Sequence, residues 1–113
     1  MAKVSAIFKT ESQLSTTGTT LVSTTVAGEV KTVSTASFFN TSTSDAQTVK
    51  VYRHLTANAI ADTNLVEEKA IPPRKAWNCI IAQGKVIPEN YSLTATATTE
   101  STVNAECEGV SST

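Results

Sequence analysis

The residues able to do chemistry are few and scattered. His54 is the only histidine. A metal site needs several histidines, cysteines or carboxylates converging on one point, and no second ligand stands at a telling spacing from it. His54 therefore reads as a surface or interface histidine on the Lys50-Tyr52 side of its strand. Cys79 and Cys107 each fall on the apolar side of an expected strand. Two readings stay open for them: buried thiols packed as small hydrophobes, or a disulfide between neighbouring strands. A redox or nucleophilic role lacks a cation close by to lower a thiol pKa, since only Lys75 and Lys85 are at hand. The nearest things to paired carboxylates, Glu67-Glu68 and Glu106/Glu108, sit on strands instead of in a glycine-bearing loop, so they read as solvated faces. The nucleophile-elbow, P-loop and dinucleotide fingerprints are missing. Asn40-Thr-Ser and Asn90-Tyr-Ser match the glycosylation triplet, as chance allows in a chain rich in Ser and Thr. The expectation is of no enzyme, no metal and no cofactor.

The elements that carry these residues are strands. Ala2 to Lys9 alternates, with Val4, Ala6 and Phe8 on one face, and residues 1–10 form an N-terminal arm or edge strand. Glu11 to Thr17 reads as a loop. Strands are expected at Thr19–Val26 and Val30–Phe39, with a turn at Gly28 between them. Phe38-Phe39 puts one ring on each face. In Gln47–Leu55, Val49, Val51 and Leu55 share a face opposite Lys50, Tyr52 and His54. Thr56–Asn64 reads as a surface loop. Leu65–Ile71 is a charged edge strand ended by Pro72-Pro73, neither of which can donate to a ladder. Lys75–Gln83 reads as a strand with Trp77, Cys79 and Ile81 facing one way, and Val86–Asn90 as a strand end and turn. Leu93–Thr99 and Thr102–Val110 read as a hairpin across Glu100-Ser101. Apolar residues nowhere recur at helical spacing over ten residues. About seven or eight short strands predict an all-β, antiparallel β-sandwich or jelly roll, with no substantial helix, as one domain over residues 1–113.

Composition bounds the function. The chain has 113 residues, 17% charged and 40% hydrophobic, with a formal net charge of −1. A nucleic-acid binder needs a basic patch, which this balance does not supply. Ser and Thr exceed a quarter of the residues, so hydroxyls in place of ions provide the polar surface. No signal-peptide pattern follows Met1-Ala-Lys, and no run reaches membrane-spanning length, which leads us to expect cytoplasmic synthesis and no membrane.

Several stretches carry a resemblance: Thr19–Gly28, Val33–Ser42, Gln47–Tyr52, Val86–Leu93 and Val103–Gly109. In strand-and-turn pattern the chain resembles small all-β virion structural proteins of tailed bacteriophages over most of residues 19 to 110. It departs from them in two places. Glu89-Asn90 stands where a Gly-Asp turn is usual, Asn being able to take the left-handed conformation. Arg53–Asn58 replaces a loop with Pro and Gly. The resemblance implies a capsid decoration or cement protein, or alternatively a collar, neck or tail component. It would be assembled in the host cytoplasm into the virion, with the major capsid protein or tail and neck proteins as partners, and with copies of itself in a trimer or larger ring. Assembly contacts are then expected on the arm, at Lys3, Val4 and Phe8, and on two loops, at Ser44, Asp45, Asn58 and Ile60. The competing reading, a carbohydrate- or receptor-binding sandwich, needs an exposed aromatic platform from Trp77, Tyr52 or Tyr91, of which Trp77 is expected to be mostly buried.

Overall fold

A computed structural model describes residues 3–80 and 82–112. Nine strands run in chain order: β1 (Lys3–Gln13), β2 (Thr19–Ser23), β3 (Val30–Asn40), β4 (Gln47–Leu55), β5 (Leu65–Ile71), β6 (Ala76–Asn78), β7 (Val86–Ile87), β8 (Tyr91–Ala97) and β9 (Val103–Ser112). Among the described residues the one helical element is a 3-10 turn at Asp62–Asn64. The strands form two sheets. One has the order β1-β9-β3-β6, with β7 also pairing β3; the other is β2-β8-β4-β5. All pairings are antiparallel. Most connections cross from one sheet to the other; β4 to β5 and β6 to β7 stay within one. That order and those crossings make the sandwich a jelly roll.

Alternation makes the core. Val49 and Val51 of β4, Leu93 and Ala95 of β8, and Val103, Ala105 and Cys107 of β9 are all buried, and the last three face the other sheet. Phe38 is buried from β3 and stacks on its cross-strand partner Trp77, with ring centroids 5.4 Å apart. Phe39, the next residue, turns outward under the Arg74 guanidinium. Asn40, at the end of β3, is fully buried. Its Nδ2 donates to the carbonyls of Ile71 and Asp45, both at 2.9 Å, and its Oδ1 accepts from the Ser42 N–H. A buried amide with its groups paired in this way fixes where β3 turns toward β4.

Three expectations are corrected. β8 and β9 do not form a hairpin: they lie in opposite sheets. Residues 98–102, with Ser101 at φ 59°, carry the chain around the corner of the sandwich. The alternation of Leu93, Ala95 and Ala97 against Val103, Ala105 and Cys107 buries equally well in either arrangement, so it could not distinguish them. The corner beside it, 14–18, makes the same crossing from β1 to β2, and Leu14 and Ala97 bond across the pair of corners to Val103 and Ser15. The strand expected over Lys75–Gln83 shrinks to β6, because successive turns at Ala82, Gln83 and Lys85 follow it and Gly84 takes φ 81°. Ile81 lies outside the described residues. Finally, β1 continues to Gln13, where a loop is expected from Glu11.

Candidate assembly surface

β1 is an edge strand. It pairs β9 on one side and, among the described residues, no strand on the other. From Lys3 to Ile7 the pairing is regular, Lys3 opposite Ser112 and Ile7 opposite Glu108. Beyond Ile7 two irregularities insert extra residues on the β1 side, as bulges do on edges, bending the strand away from further pairing. Val4 and Ile7 are 61% and 69% exposed. Phe8 behaves differently from its neighbours. It is half-buried against the core, below the Lys31 ammonium, which lies 5.8 Å from its ring centroid. The reason is Gly109: a Cβ there would lie 2.9 Å from the Phe8 ring and would overlap the Thr32 carbonyl oxygen. Only glycine lets β1, β9 and β3 close up at this point. Phe8 is thus a packing residue, while Lys3, Val4 and Ile7 are exposed. Met1 and Ala2 lie outside the described residues.

Between β1 and β2, the edges of the two sheets, the sandwich is open. This cleft of about 490 Å³ is lined by Ala6, Phe8, Leu21, Val22, Lys31 and Ser111. Lys31 sits at its side, donating to the Ser23 carbonyl at 2.8 Å and paired with Glu29 at 3.8 Å. Its charge is already committed within the fold.

The remaining expected contacts are not gathered with the arm. Ser44 and Asp45 are exposed in a turn where both N–H groups donate to the Ser42 hydroxyl. That turn follows Asn40, which pairs with Val103, whereas Lys3 lies at the far end of the same sheet beside Ser112 and Val30. Asn58 is exposed; Ile60 is half-buried. The loop holding them folds over the outer face of the second sheet, close enough that a Cβ at Gly18 would meet both Ile60 and Thr94.

That loop corrects the reading of His54. His54 is 7% exposed. Its Nδ1 lies 2.8 Å from the Leu55 carbonyl and 3.0 Å from that of Asn58, so Nδ1 carries the proton and donates. Nε2 lies 2.8 Å from the Thr94 hydroxyl. His54 latches the loop to the sheet and is not a surface residue. No sequence signal separates this from an outward-facing histidine, because its strand position is the same in both.

The disulfide between Cys79 and Cys107 is not formed. Cys107 stands opposite Ala36, and the Cys79 N–H donates to the Ala36 carbonyl from the other side. One strand therefore separates the two cysteines, which puts them about 10 Å apart, against the roughly 7 Å limit for a bridge. Burial, with the Glu108 charge adding to it, pushes the Cys107 thiol up to about 12, so it stays protonated and unreactive. Glu106 and Glu108 are exposed on the outer face, and no group of three potential metal ligands occurs among the described residues. Among them too, no helix is long and apolar enough to cross a membrane.

Comparison with protein-family models, with curated proteins and with solved structures returns no match.

Proposed function

We propose that this chain is a structural protein of a virus particle, of the tailed-bacteriophage type its strand-and-turn pattern resembles, and that it decorates the capsid by protein–protein contacts. The observation that carries the reading is β1: an edge strand with no further strand partner among the described residues, whose Val4 and Ile7 are exposed. Jelly rolls serve widely as capsid domains, which is support by analogy of fold. Edge strands extend a neighbour's sheet through main-chain hydrogen bonds, and a symmetric particle presents that neighbour repeatedly, which fits a ring of copies on each site. A glycan-binding role has less support, since Trp77 is stacked on Phe38, Tyr52 is buried and Tyr91 is capped by Arg53 at 4.9 Å.

The test is particle purification followed by mass spectrometry and cryo-microscopy, with and without the gene. The reading expects the chain in stoichiometric amount on the head lattice, and lower resistance to heat when it is missing. Density on the neck or tail would move the assignment there. Absence from particles would end it.

A further inference from the structure

We propose that two copies of this chain associate through β1, pairing the segments Lys3 to Ile7 antiparallel about a two-fold axis at Ser5. The inference uses the same edge as the particle reading, with a second copy as the neighbour whose sheet β1 extends, and its test in solution is separate from the particle test.

The free edges differ in what they permit. β5 carries Glu67-Glu68-Lys69, and pairing with its own copy about its centre sets Glu68 against Glu68, a like-charge contact that destabilises. β2 has five residues and an irregularity, and β6 has three. β1 alone offers a straight stretch, from Lys3 to Ile7, with one charge at its end and two exposed apolar side chains.

Register follows from symmetry. A two-fold axis perpendicular to a sheet pairs residues on the same face, so the numbers of paired residues sum to an even value. With the axis at Ser5 the whole straight stretch is used: Lys3 faces Ile7 of the second copy, Val4 faces Ala6, and Ser5 faces itself. Moving the axis to Ala6 sets Lys3 against Lys9 and runs the ladder into the first bulge. The Ser5 register also supplies a charge match. Ile7 stands beside Glu108 on the outer face. Lys3 of the second copy, opposite Ile7, would then lie two strands, about 10 Å, from Glu108. Its aliphatic stem covers Ile7 and its ammonium meets the carboxylate. Symmetry makes this contact twice. The product is one continuous sheet across both molecules. The patch is small, so the dimer is weak, with a Kd of about 1 µM to about 1 mM.

Sedimentation of the full chain across that concentration range tests this, with circular dichroism confirming that each variant folds. Wild type should show a concentration-dependent dimer. Ile7→Lys, which brings a second cation opposite Lys3, should weaken it at least tenfold. Lys3→Glu and Glu108→Lys should each weaken it, and the double variant should recover most of the loss. Ser5→Cys, placed on the axis, should form a covalent dimer on mild oxidation, whereas Val86→Cys should not. A monomer throughout the range overturns the proposal. So does a dimer that ignores Ile7→Lys, or one that Ser5→Cys fails to capture.

Discussion

Glu100 accepts two hydrogen bonds from Thr16, from its backbone N–H at 2.8 Å and its hydroxyl at 2.9 Å, and so ties together the two corners where the chain passes between sheets. These bonds favour the charged form and hold the carboxyl below its usual value of 4.5. A depressed folded pKa adds stability that is present above the ordinary carboxylate value and lost as pH falls through the folded one. Glu100→Gln should therefore melt below wild type at neutral pH, and the gap should close in acid. Thermal melts across pH check this; a gap independent of pH would refute it.

Cys107 gives the opposite sign. Its thiol is raised from 9.0 to about 12, so between those values the unfolded chain loses a proton that the native chain keeps. Stability should fall as pH rises through that window, by at most about 1.4 kcal/mol per pH unit. Cys107→Ala should remove this part of the slope. Urea unfolding of both proteins at pH 8 and pH 10 measures the difference, and equal slopes would exclude it.

Gly109→Ala places a methyl group against the Thr32 carbonyl and the Phe8 ring. Because backbone must move, the cost should reach about 3 kcal/mol or more. The loss should be concentrated in β1, readable as faster amide exchange from residues 4 to 8. An unchanged exchange pattern there would contradict the proposed close approach of the three strands.

His54→Leu keeps the bulk but strips the loop carbonyls of Leu55 and Asn58, and the Thr94 hydroxyl, of their shared partner. The expected cost is about 1–3 kcal/mol. Hydrogen exchange should speed up in residues 56–64 before it changes in β4. If both respond equally, His54 supports the sheet and not the loop.

Period-two alternation made much of the fold legible. Val49 and Val51 fall inside, and Phe38 and Phe39 divide between the faces. Alternation tells a residue's face but not which sheet its strand joins, and so Glu100-Ser101 passes for a hairpin when it is a corner. It also cannot show what lies over an outer face. His54 and Tyr52 read as outward, and outward they are, yet both are buried, under a loop whose sequence gives no sign of folding back. On the candidate edge, alternation groups Val4 with Phe8, yet Val4 is exposed and Phe8 is not. The sequence does not separate the two, because the inward packing of Phe8 depends on an absent side chain a hundred residues away, at Gly109.

Because Lys3 lies across from Ser112, the outer ends of β1 and β9 lie together at one tip of the molecule. A pull applied at these two residues would peel β1 from β9 one rung at a time instead of shearing the ladder all at once. Load is then better carried through the faces and loops than through the ends, so a partner fused at this tip would gain a tether but little mechanical strength.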